Sequence, residues 1–163
     1  MTARKRRSSL NRREFMAACA VTGAGVCICG TTGCSSITGT GNTPAAMGDA
    51  YTVENGNIVT LDIGNIPELS TDGGAVKIID DALPDDLIVV RVSGDDYRAA
   101  SLYCTHRGVE LEYKPDKEML VCASAGSATY TLEGKKVSGP AKTDLAVYPA
   151  QLDGDRLVVT VTA

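Results

Sequence analysis

From residue 50 onward the chain is a succession of short apolar or alternating runs, each soon closed by Gly, Asp, Asn or Pro. That punctuation decides the fold class. A period of two over a handful of residues suits strands and leaves no room for a helix of several turns. Strands are expected over residues 57–63, 75–79, 87–93, 97–104, 109–113, 118–122, 128–132, 146–152 and 157–162. Turn signals separate them at Glu54-Asn55-Gly56, Asp72-Gly73-Gly74, Ser93-Gly94-Asp95, Leu132-Glu133-Gly134 and Leu152-Asp153-Gly154-Asp155. No stretch of this body keeps a helical period, so it is expected to be all-β, built from small antiparallel sheets stacked or sandwiched. The apolar residues of the whole chain are mainly Val, Ile, Leu and Ala, with one Phe and no Trp, which suits pleated packing better than an aromatic binding platform.

Charge divides the 163 residues unevenly. Residues 1–49 carry a net +4 and residues 50–163 a net −8. An acidic body argues against a nucleic-acid partner, which needs a basic face to neutralise phosphates. The basic start has a specific form. Asn11-Arg12-Arg13-Glu14-Phe15-Met16 resembles the twin-arginine export motif, and the apolar run after it, residues 16–29, is too short to span a ~30 Å hydrocarbon core as a helix. It reads as the apolar region of a signal peptide. Thr31-Thr32-Gly33-Cys34 then resembles a lipoprotein cleavage box, with Thr31 where a large aliphatic residue is usual, so lipidation at Cys34 and ordinary cleavage both stay open. Four of six cysteines lie in this leader, which rules out a six-cysteine disulfide framework. Residues 35–48 are small, polar and uncharged, as a tether would be. The expected organisation is a twin-arginine signal peptide over residues 1–34, a flexible linker over 35–49 and one domain over 50–163. The protein is expected to be exported, to the periplasm or the outer side of the cytoplasmic membrane. Attachment there would come through a Cys34 lipid or an uncleaved signal.

The chemistry-bearing residues are few. Cys104-Thr105-His106-Arg107-Gly108 ends one expected strand. Cys122 ends another and is followed closely by Gly126-Ser127. A thiol and an imidazole one residue apart can face one metal site from a tight loop, and this donor chemistry suits zinc or iron–sulfur rather than hard cations. C-x-H-x-G followed by C-x-x-x-G-S in an all-β chain resembles the Rieske family, in which two Cys hold one iron and two His the other. The likeness covers the whole body. Ser138-Gly139-Pro140-Ala141, Leu145, Tyr148-Pro149 and Leu152-Asp153-Gly154-Asp155-Arg156 look like the family's proline loop and closing strands, and Asp96-Tyr97-Arg98-Ala99-Ala100-Ser101 leads into the first box as the family's sequence does. The resemblance implies stacked antiparallel sheets with two cluster-binding hairpin loops and a [2Fe–2S] cofactor bound by Cys104, His106 and Cys122. It also implies electron transfer with membrane or periplasmic redox proteins.

The departures are as informative as the matches. Ala125 stands at the family's fourth ligand position, and the chain has no His besides His106. Val109 and Ser124 occupy the positions that carry a disulfide in the quinol-oxidising complexes. One extra residue precedes Tyr130 and sets that aromatic's usual hydrogen bond at issue. Three readings stay open: an electron carrier whose cluster has a substitute ligand, with Ser124 and Ser127 as local candidates; a cluster-free binding or structural subunit of an envelope redox complex; and a single-zinc site of Cys104, His106 and Cys122. Because the family places both cysteines on one iron, a cluster-free chain in an oxidising compartment implies a Cys104–Cys122 disulfide. Without a metal, His106 reads as an exposed loop histidine. No Ser/His/Asp set, phosphate-binding loop or carboxylate pair is present, so no enzyme in its own right is expected.

Overall fold

The computed structural model describes residues 41–162. The expected signal peptide with Arg12, Arg13 and Cys34, and residues 35–40 of the expected linker, lie outside the described residues.

Twelve strands form three antiparallel sheets of four. The first sheet joins Tyr51–Glu54 (β1), Ile58–Asp62 (β2), Arg156–Thr160 (β12) and Ala150–Asp153 (β11), in that order. The second joins Val147–Tyr148 (β10), Asp96–Ser101 (β5), Leu87–Ser93 (β4) and Ala75–Ile78 (β3). The third joins Leu111–Lys114 (β6), Met119–Cys122 (β7), Thr129–Thr131 (β8) and Lys136–Ser138 (β9). Two short 3-10 turns, Ile63–Asn65 and Pro67–Leu69, link the first sheet to the second.

The order of stacking follows from β4. Its run Leu87-Ile88-Val89-Val90 is apolar at every position because both faces are covered, and all four residues are at most 1% exposed. Leu87 and Val89 join Val59, Leu61, Leu157 and Val159 of the first sheet in one core. Ile88 and Val90 join Leu111, Leu120 and Tyr130 of the third sheet in another. The middle sheet thus separates two apolar layers, and both cysteines of the body belong to the second.

The all-β expectation holds, with differences of detail. β1 and β9 were not expected. β1 alternates half-buried and exposed residues, and β9 is exposed throughout, so neither carries an apolar signal. The run expected over 146–152 is split at Pro149, which has no N–H for a ladder, into β10 and β11. The strand expected over 97–104 ends at Ser101, because the chain then leaves the middle sheet to meet the third. Leu111 donates to the Leu102 carbonyl at 2.8 Å, and Tyr103 bridges to Glu110. The described end of the expected tether also differs from a free linker. Ala45 makes a parallel bridge to Lys77 on the edge of β3, while Gly41 and Asn42 donate backbone N–H groups to the Glu110 and Glu112 carboxylates.

Candidate metal centre

The first box is a tight loop closed by its own backbone. Cys104 donates its N–H to the Val109 carbonyl at 2.9 Å, and Gly108 donates to the Cys104 carbonyl at 2.8 Å. Gly108 takes φ +64, the left-handed region in which a Cβ is strained, so glycine is the residue this return requires. The second box starts where β7 ends. Cys122 sits opposite Leu111 and donates to the Ala128 carbonyl, while residues 124–127 form a turn closed by Ser127 N–H on the Ser124 carbonyl. Against this turn lies the loop of Ser138-Gly139-Pro140. A Cβ on Gly139 would stand 2.5 Å from Ala128 Cα, so only glycine permits the approach.

Both thiols are buried, Cys104 at 1% and Cys122 at 3% exposure. Each has a hydroxyl beside its sulfur: Tyr130 Oη lies 3.3 Å from Cys104 Sγ, and Ser124 Oγ lies 3.1 Å from Cys122 Sγ. Burial pushes the Cys122 thiol up, the Ser124 hydrogen bonds pull it back down, and the Cys104 thiol, close enough to hydrogen-bond, adds a further rise. Tyr130 is raised by burial and then by its contact with Cys104. The extra residue before Tyr130 therefore does not remove its hydroxyl from the site. Before β8 Ser127 adopts φ +41, and the register of β8 against β9 shifts between Thr129 and Tyr130.

A network that the sequence did not disclose surrounds this contact. The Thr105 hydroxyl lies 3.0 Å from Tyr130 Oη and donates to the Thr143 carbonyl at 3.1 Å, tying the first box to the segment after the proline loop. Thr105 lies between the two donor positions, which was its only signal. Nearby, Tyr103 donates to Asp86 at 2.7 Å, and that bond is the main cause of its rise to about 12.

His106 is not the exposed loop histidine expected of a metal-free site. It is half-buried, and among the described residues its Nδ1 is the one buried side-chain nitrogen or oxygen with no hydrogen-bond partner. Ala125 is exposed at the tip of its turn and brings no donor atom. The hydroxyls expected as substitutes are engaged, Ser124 with the Cys122 sulfur and Ser127 as a donor to the Ser124 carbonyl. Among the described residues no three His, Cys, Asp or Glu side chains gather as they would around one ion. A two-iron cluster takes thiolates on one iron and imidazole on the other.

A family model for the Rieske [2Fe-2S] domain matches residues 59–149, a stretch that contains both boxes and the proline loop. The chain belongs to the Rieske family. It is 32% identical over 77 residues to the cytochrome b6-f complex iron-sulfur subunit of Chlorobaculum tepidum, covering 47% of this chain and 42% of that protein. It is 31% identical over 96 residues to the cytochrome b6-f complex iron-sulfur subunit 2 of a Synechocystis species, covering 56% of this chain and 53% of that one. The chain thus spans about half the length of these curated relatives. A solved structure similar to it is the cyanobacterial plasma membrane Rieske protein of Synechocystis PCC 6803, with TM-score 0.47 and 26% identity over 53% of this chain and 86% of that chain. Against a Rieske cluster, the residues present fit three of the four protein positions. Two buried thiols with hydroxyls beside them and an unpartnered imidazole nitrogen suit it. The fourth position, Ala125, does not.

Proposed function

We propose that the chain is an exported Rieske domain of the [2Fe–2S] electron-transfer type, in which Cys104 and Cys122 would hold one iron and His106 the other. The observation that carries this reading is the His106 Nδ1. A buried polar atom without a partner costs about 1–3 kcal/mol, so an imidazole nitrogen left in that state two residues along the chain from a buried free thiol argues for a metal partner. When bound, the cluster supplies one-electron transfer. The chain's own residues bind it and tune it. The Tyr130 and Ser124 hydroxyls can donate to the sulfurs and stabilise thiolate charge. The two box turns and the Gly139-Pro140 loop limit water. The half-buried His106, between exposed Thr105 and Arg107, lies on the side a redox partner can approach. With one imidazole instead of two, the site cannot give up two imidazole protons on oxidation.

Export is supported by the Arg12-Arg13 motif and the apolar run behind it. Among the described residues no helix is long and apolar enough to cross a membrane. Attachment would come through the leader, by an uncleaved signal or a lipid on Cys34. That the relatives are subunits of cytochrome b6-f complexes supports membrane or periplasmic redox proteins as partners, in the periplasm or on the outer side of the cytoplasmic membrane.

A second reading, a cluster-free binding or structural subunit of an envelope redox complex, is favoured by one observation: Ala125 brings no donor and both neighbouring hydroxyls are engaged. Iron, acid-labile sulfide and the EPR spectrum of full-length protein matured in its own host separate the two. The electron-transfer reading expects two irons and two sulfides per chain, with a spectrum distinct from that of a two-imidazole Rieske centre. Iron-free protein overturns the electron-transfer reading.

A further inference from the structure

Cys104 and Cys122 are the free cysteines of the described residues, and they lie together in one apolar cluster. Cys122 pairs with Leu111, whose N–H donates to the carbonyl of Leu102, two residues before Cys104. The backbone fixes both to the segment between them, Cys104 through Val109 and Cys122 through Leu111. The pair is covered by two turns with exposed residues, Thr105, Arg107 and Gly108 on one side and Ala125, Gly126 and Ser127 on the other. Ala125 leaves the metal one protein donor fewer with which to keep the thiolates committed.

We propose that Cys104 and Cys122 close into an intramolecular disulfide in every exported chain that holds no iron, giving the site two mutually exclusive states. The inference rests on the export reading, because disulfides persist in oxidising compartments, but not on the presence of a cluster in the native protein. The step is a thiol–disulfide exchange with an external disulfide donor. One cysteine thiolate attacks the donor's S–S bond and forms a mixed disulfide, which the other cysteine then resolves. The Cys104–Cys122 bond forms and the donor's bond breaks. Both thiol protons leave the protein, and two electrons reduce the donor to thiols. The closure needs Cα atoms about 4.4–6.8 Å apart.

The test uses the full chain from the exported fraction, with iron measured first. The protein is then stripped with a chelator, incubated with oxidised glutathione, alkylated without reduction and digested. A peptide pair joined through Cys104 and Cys122, with both thiols alkylated only after reduction, is the expected result. Two alkylated thiols in the stripped, oxidised protein overturn the proposal, as does a bond to Cys34 or between chains. Cys122→Ser should abolish the joined peptide and leave Cys104 alkylatable. The initial iron measurement reports separately on the electron-transfer reading. Iron-free protein should carry the disulfide as recovered, and iron-loaded protein only after stripping. Iron and the cross-link in the same chain refute the exclusivity.

Discussion

At the scale of single residues, Ala125 and Tyr130 pull the site in opposite directions. Ala125 removes a donor, so Ala125→His should raise the iron and sulfide retained per chain and move the EPR spectrum toward the two-imidazole form. If iron content does not change, the turn at 124–127 has lost the shape the ligand needs, and the lost donor is not what limits binding. Tyr130 keeps its hydroxyl on the Cys104 sulfur although the chain before it has gained a residue. Tyr130→Phe keeps the ring, fully buried, but deprives both Cys104 and Thr105 of a partner. A loss of about 1–2 kcal/mol in urea unfolding is expected, the usual cost of leaving a buried group unsatisfied. An unchanged midpoint would show that Thr105 and the Thr143 carbonyl satisfy each other without it. The two boxes could be read from the sequence because cysteine, histidine and glycine at those spacings have few other uses. The Thr105 bridge could not, since a hydroxyl's partner depends on what folds beside it.

Among the elements, an ion pair lies beneath the segment entering the domain and adds to the backbone bonds that hold it. Lys77 on β3 and Glu110 before β6 meet at 2.7 Å, with side-chain exposures of 10% and 16%, and the same carboxylate accepts the Gly41 N–H. The pair joins the middle sheet to the third and anchors the strap that runs into Ala46, whose N–H donates to the Lys77 carbonyl at 2.8 Å. Lys77→Met keeps the apolar stem but strands the Glu110 carboxylate. The expected cost is about 2 kcal/mol, below the usual range for breaking a fully buried pair because this one is partly wetted. Denaturant unfolding measures that cost, and faster hydrogen exchange at the Ala46 amide should accompany it. Exchange that stays slow would mean that the bridge to β3 holds the strap without the ion pair. Residues 41–48 read as tether in the sequence because they are small and uncharged. They lie on the body because the unpaired edge of β3 and two carboxylates have backbone bonds to offer, which composition does not reveal.

For the whole molecule, one core layer contains no residue of the metal site and the second is mostly aliphatic around its two cysteines, which implies that the domain folds without iron. Metal-free protein should give a β-type circular dichroism spectrum and a cooperative melt, and a helical or molten spectrum would contradict the fold. Stability should also fall in alkali. Tyr103 is raised to about 12, first by its bond to Asp86, and Tyr148 is raised by burial and Asp85. Tyr51, Tyr113 and Tyr130 are raised as well, chiefly by burial. The unfolded chain releases these protons first, so between about pH 10 and 12 the native state binds more protons and stability drops as pH rises; below about pH 9 the contribution is fully present. Denaturant midpoints across that range should decline, and Tyr103→Phe should make the decline shallower. A flat profile would mean that these hydroxyls ionise freely in the fold.

The sequence by itself determined the class of the fold, most of the strands and three of the four positions of the candidate site. Period-two patterning, turn residues and metal-ligand spacing are local properties, written in consecutive residues. It also determined the loss at Ala125, since a missing donor atom needs no structure to be noticed. Only the tertiary structure decided that β4 separates two cores, that Tyr130 still reaches Cys104 despite the inserted residue, and that His106 Nδ1 is buried with no partner. Each of these depends on what a residue meets across the sheets after the chain has folded back on itself, and spacing along the chain does not encode those distances.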